Sequence, residues 1–97
     1  MELMSGTILN NKYEVVRTLG KGAMGCVYLV RDSHYKRYVI KEVNPAASGL
    51  KDPDLARSLF KREAEFMLSF HHSGIPETFD YFTWDNNEYL AMEYIDG

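Results

Sequence analysis

A chain of 97 residues, with 11 Lys and Arg against 14 Asp and Glu, carries a formal net charge of −3. That length allows one compact unit, and the acidic balance argues against a nucleic-acid or anionic-membrane binder, which would present a basic face. A single cysteine, Cys26, excludes an internal disulfide and a cysteine-based zinc site and suits a reducing compartment.

Residues 1–11 read as an N-terminal extension. Its sequence, MELMSGTILNNK with Lys12, has no basic segment followed by an apolar core, so it does not read as a signal peptide. No apolar run approaches the ~20 residues of a membrane span. No membrane contact and a cytoplasmic setting are therefore expected. Residues 13–18 (YEVVRT), 26–31 (CVYLVR) and 37–43 (RYVIKEV) are rich in β-branched and aromatic side chains and predict three strands. The glycine-rich stretch LGKGAMGCVY (19–28) lies between the first two and reads as a hairpin turn. DSHYK (32–36) is a polar turn, and NPAASGLKDP (44–53) a loop.

Residues 53–70 predict a helix. Asp52 is a good N-cap and Pro53 a good first residue. Leu55, Leu59, Phe60, Met67 and Phe70 recur at helical spacing. The helix is expected to stop around His71, His72, Ser73 and Gly74. TFDYFTW (78–84) and EYLAMEY (88–94) predict two more strands, joined by Asp85, Asn86 and Asn87. The order β-β-β-α-β-β describes an α+β unit with one antiparallel sheet and one helix.

Gly20, Gly22 and Gly25 stand at the spacing G-x-G-x-x-G. Glycines at this density let backbone N–H groups approach a phosphate closely. In a dinucleotide-binding fold the motif opens a helix. Here Cys26, Val27, Tyr28, Leu29 and Val30 follow, which form strands well and helices poorly. Glu42 stands at about the right distance for the acidic partner of that fold, but no parallel strand-helix-strand unit precedes it. G-x-G-x-x-G-x-V inside a hairpin fits a phosphate-covering loop better than a merely flexible turn.

Two charges then matter. On helical spacing Glu63 neighbours Leu59, Met67, Phe60 and Phe66, which places its carboxylate on the apolar stripe, where an unpaired charge is costly. Glu65 neighbours Lys61, Arg62 and Ser69 and reads as solvated surface. Lys41 shares a strand face with Val39 and Val43. A Lys41–Glu63 ion pair would satisfy both groups and aim the lysine at a phosphate under the glycine loop.

On LGKGAMGCVY, YVIK, KREAEFM and MEYIDG, from about Lys12 to Gly97, the chain resembles the N-terminal lobe of a protein kinase, most like bacterial and eukaryotic-type serine/threonine kinases. The resemblance implies a five-stranded antiparallel sheet with one large helix between strands three and four. It implies ATP as the nucleotide, and a parent enzyme that transfers the γ-phosphate to protein Ser or Thr hydroxyls. The backbone of Gly20, Lys21, Gly22, Ala23, Met24 and Gly25 would cover the phosphates, and Leu19 and Val27 would sandwich the adenine. Lys41 would contact the α- and β-phosphates, and Glu63 would hold it in place. Met92 falls at the gatekeeper position. The Glu93 carbonyl and the Ile95 N–H would bond the adenine edge. Val39 departs from the usual alanine and would reshape the purine slot. His72-Ser73 replaces the usual His-Pro, and Thr78 stands where an apolar residue is usual.

Phosphoryl transfer also needs Mg²⁺ ligands and a catalytic aspartate. In the family these lie in H-R-D and D-F-G of a second lobe, which these 97 residues lack. The segment alone is therefore expected to be inactive and to bind nucleotide weakly, as the N-lobe of a longer kinase. A standalone kinase-like lobe that binds and regulates a partner protein is the other reading. Val27, Val39 and Met92 would lie on a bare face, which predicts self-association. Cys26 reads as an ordinary strand residue, and His71 and His72 as helix-terminal side chains. Phe79, Tyr81, Phe82 and Trp84 read as sheet packing, not base stacking.

Overall fold

The elements follow the hydrophobic alternation closely. The structure, a computed structural model, describes residues 2–22, 25–45, 51–69 and 77–94. Strands β1 (Ile8–Leu9), β2 (Tyr13–Lys21), β3 (Cys26–Arg31) and β4 (Arg37–Val43) precede helix α1 (Pro53–Ser69), and β5 (Thr78–Trp84) and β6 (Asn87–Glu93) follow it. All pairings are antiparallel, in the order β1-β2-β3-β4-β6-β5.

One face of the sheet carries Tyr13, Val15, Tyr28, Val30, Ile40, Tyr89 and Ala91, all essentially removed from solvent. The sheet curls so far that β2 meets β5, its neighbour only through three other strands. The Tyr13 ring stacks on Phe82 at 5.9 Å, and its hydroxyl donates to Asp80 at 3.2 Å. Phe82 stacks in turn on Tyr89 at 5.3 Å. Register shifts in β2 and β5 mark bulges, which add local twist. Burial, aided by the bond to Asp80, raises the Tyr13 pKa well above the usual phenol range.

The caps and turns follow their residue types. Asp52 Oδ1 accepts the Asp54 N–H at 3.0 Å, the N-cap bond expected ahead of Pro53. Asp85 and Asn86 both have positive φ, 51° and 66°, as a two-residue hairpin turn of the primed type requires. The Asp32 carboxylate closes the β3–β4 turn. It accepts the His34 N–H at 2.8 Å, the Lys36 N–H at 3.0 Å and the Tyr38 hydroxyl at 3.1 Å. Burial pushes the Asp32 pKa up, but these bonds outweigh it and hold the carboxyl below its ordinary 3.8. A carboxyl depressed on folding stabilises the fold above its unfolded pKa and loses that contribution as pH falls through the folded one. Asp32→Asn should therefore flatten the decline of the melting temperature below about pH 4. A melting profile parallel to the wild type through that range would contradict it.

The sheet has six strands, not the five expected. The additional strand comes from the segment read as an extension: Leu9 is fully buried, Leu3 packs on the core, and the Leu3 N–H donates to the Tyr28 hydroxyl at 2.9 Å. A two-residue strand is too short to show a period in sequence. Leu9→Ala should cost about 2–5 kcal/mol, the range for emptying a buried leucine site. A thermal melt of the variant matching the wild type would show that this segment is dispensable.

Candidate functional site

The glycine-rich hairpin, the end of β4 and one face of α1 enclose a cavity of about 810 Å³. That size is ample for a small-molecule ligand. Gly20, Lys21, Gly22 and Gly25 form its roof. The Gly22 N–H donates to the Gly25 carbonyl at 2.8 Å and closes the turn. Gly25 is required by close approach: a Cβ there would overlap the Glu42 carbonyl oxygen and stand 2.8 Å from its carbon. The roof therefore lies against β4 through bare backbone.

Lys41 is the Cα partner of Val27 on β3 and of Leu90 on β6. Partners across an antiparallel pair share a face, so Val27 and Lys41 point the same way. The next row on that face is Leu29, Val39 and Met92. Val27, Val39 and Met92 are half-buried. Val27 lines the cavity with Lys41, while Val39 and Met92 lie beyond its wall. The Leu19 side chain is exposed outside the cavity. Glu93 ends β6 in a separate cleft of about 260 Å³ with Lys36, Arg37, Phe79 and Tyr94. The Glu93 N–H donates to the Glu77 carbonyl at 2.7 Å. Ala23, Met24 and Ile95, and the helix stop at residues 71–74, lie outside the described residues.

From α1, Ala56, Leu59, Phe60 and Glu63 face the cavity. Lys41 and Glu63 thus open onto one space, but they do not meet. Among the described residues no ion pair joins them, and both are solvent-exposed. The reading that put Glu63 on a buried stripe is corrected here. Leu55, Leu59 and Phe66 are 50%, 49% and 66% exposed, and the line facing the sheet runs through Arg57, Phe60, Ala64 and Leu68. A hydrated carboxylate needs no partner, and bringing it to Lys41 would cost desolvation.

Some lining groups are not evident from motif spacing. Pro45 and Val43 are buried against the cavity, and Cys26 is a buried thiol at its edge. Glu42 is 5% exposed, and its Oε2 accepts the Tyr89 hydroxyl at 2.8 Å. Burial, and then this bond, raise the Tyr89 pKa. Strand alternation carries the signal, since it places the Glu42 side chain on the face opposite Lys41. At the rim, the Lys21 ammonium is held by Glu2 at 2.5 Å on the outer surface, and Glu2 also accepts the Thr18 hydroxyl. Both charged side chains are substantially exposed, so the pair contributes little stability.

A glycine-rich hairpin over a strand lysine, with a helix glutamate across the cavity, is the arrangement of a protein kinase N-terminal lobe. The protein kinase domain model matches residues 13–97, and the chain belongs to that family. It is 39% identical over 93 residues to serine/threonine-protein kinase D of Synechocystis sp., covering 90% of this chain and 18% of that protein. It is 37% identical to serine/threonine-protein kinase PknI of Mycobacterium bovis, covering 100% of this chain and 16% of that one. A crystal structure of the Mycobacterium tuberculosis PknI kinase domain superposes with a TM-score of 0.80 at 37% identity, covering 99% of this chain and 37% of that one. The chain thus spans less than two-fifths of each relative and corresponds to the N-terminal lobe of their kinase domains.

Proposed function

We propose that this chain is the ATP-binding lobe of a serine/threonine protein kinase that transfers the γ-phosphate to protein hydroxyls. The observation that carries the reading is the convergence of the glycine hairpin, Lys41 and Glu63 on one cavity. The residues fit the nucleotide: bare glycine backbone can approach phosphates, and Lys41 supplies a cation beneath it. Backbone groups of Gly20 to Gly25 hold the phosphates, and Lys41 contacts the α- and β-phosphates. Glu63 holds Lys41 once the helix closes on it. Leu19 and Val27 sandwich the adenine, with Val39 and Met92 beside it, and the Glu93 carbonyl and Ile95 N–H bond its edge. ATP supplies the transferable phosphoryl group. In the family the Mg²⁺ ligands lie in the H-R-D and D-F-G segments of a second lobe, which would hold the metal here. No helix among the described residues is long and apolar enough to cross a membrane. The buried Cys26 thiol suits the reducing cytoplasm.

Intact-mass measurement of the native gene product, with ATP titration of the 97-residue chain, tests this. The expected product is of kinase-domain size or larger and phosphorylates Ser or Thr with MgATP. The isolated chain should bind ATP more weakly than micromolar and self-associate through the face bearing Val27, Val39 and Met92. A native product of 11.2 kDa without transferase activity would overturn the enzyme reading and point to a regulatory lobe that binds a protein partner.

A further inference from the structure

Among the described residues, one ion pair joins the helix that carries Glu63 to the sheet, and its carboxylate is buried. Glu88, on β6, is fully buried. Arg57 Nε lies 2.9 Å from its Oε1, and the Tyr81 hydroxyl donates to its Oε2 at 2.8 Å. The same guanidinium donates from Nη2 to the Asn86 carbonyl at 3.1 Å and from Nη1 to Asp54 Oδ1 at 3.3 Å. Glu88 Oε1 accepts no well-aligned hydrogen bond, so the Arg57 charge is its compensation among the described residues. A buried carboxylate cannot lose such a partner cheaply.

Among the described side chains of α1, Ala64 is buried, Leu68 is half-buried, and Phe60 meets the Tyr81 ring at a tilt, 5.9 Å between centroids. Apolar contacts are non-directional. The Arg57 guanidinium, held at once by the Glu88 carboxylate and the Asn86 carbonyl, adds a directional constraint on rotation about the helix axis. Arg57 and Glu63 are six residues apart, roughly 9 Å along the axis and on different sides of the helix. Seating Arg57 on β6 therefore sets where Glu63 points, and Glu63 faces the cavity.

We infer that Arg57, through Glu88, is a positioning residue for phosphoryl transfer. It pins the first half of α1 as a pivot, about which the second half can swing Glu63 toward Lys41. This rests on the kinase reading above. The helix axis can tilt about the pivot but cannot turn or slide, which keeps the open arrangement seen here one swing away from a closed Lys41–Glu63 pair.

The test uses the full gene product with MgATP and a protein substrate, comparing wild type, Lys41→Met, Glu63→Gln, Arg57→Met, Arg57→Lys, Glu88→Gln and the Arg57→Met/Glu63→Gln double variant. Rates are taken per active site by titration. Arg57→Met and Glu88→Gln should each lower kcat by roughly tenfold, with the protein-substrate KM little changed. Arg57→Lys, which keeps the charge but loses the fork, should recover part of the rate. In the Glu63→Gln background, Arg57→Met should have almost no further effect, because both act through one contact. A purely structural role would lower the melting temperature and the active fraction and leave kcat per site intact. That result would overturn the inference while leaving the kinase reading standing. If Arg57→Met fails to fold, the near-isosteric Glu88→Gln carries the same comparison. A wild type that transfers no phosphate, or a Lys41→Met variant as active as wild type, would overturn the kinase reading and the positioning role with it.

Discussion

Replacing Lys41 by Met in the full gene product should lower phosphoryl transfer roughly 10²- to 10³-fold, the cost of deleting one well-placed charged donor. Lys41 lies beneath the glycine roof, on the same sheet face as Val27, and is exposed to the cavity. Among the described residues it has no ion-pair partner, so its removal orphans no buried charge. Stability should therefore change by no more than about 0.5 kcal/mol, as for a surface position. The signature is a lost rate with an unmoved melting curve. Lys41→Arg should not rescue, because the wider planar fork cannot replace a point ammonium under the loop. A rate within about threefold of wild type would remove Lys41 from the machinery.

Much of this arrangement is legible from residue type alone. β3, β4 and β5 begin and end where the apolar runs do, and Asp52-Pro53 marks the helix start. The paired Asp85 and Asn86 announce a tight turn because both tolerate positive φ. β2 runs on through Gly20 to Lys21, since the sheet continues pairing where glycine propensity would end it. What escapes the sequence is set by tertiary contacts. Leu9 is buried because the sheet curls over it, which no two-residue window can report. The apolar spacing of Leu55, Leu59, Phe60, Met67 and Phe70 is more evident in sequence than the sheet-facing line of the described side chains, whose anchor is the cation Arg57. That line makes sense only once Glu88 is known to be buried opposite it. The glycines, Lys41 and Glu63 are marked by spacing and strand face and do gather at one cavity. The distance between Lys41 and Glu63 depends on how α1 sits on β5 and β6, a packing matter that neither segment encodes by itself.

Gly20 and Gly25 belong to one motif, yet they should fail in different ways. At Gly20 a Cβ meets nothing within 4 Å. Gly20→Ala should leave folding stability unchanged or raise it by a few tenths of a kcal/mol, since alanine restricts the unfolded chain. Its cost should fall on nucleotide affinity, because the added methyl crowds the phosphate side of the roof. At Gly25 the obstacle is the backbone of Glu42, which no rotamer change can move. Gly25→Ala must push the hairpin off β4 or shift β4 itself, and Glu42 is the residue next to Lys41. It should cost about 1–3 kcal/mol, as overpacking does, and misplace the lysine besides. Chemical denaturation of the two variants separates these effects before any nucleotide is added. Equal midpoints would mean that close packing on Glu42 is not what demands glycine at position 25. A drop confined to Gly25→Ala, with ATP affinity lost in both, would assign Gly25 to holding the roof on the sheet and Gly20 to meeting the phosphates.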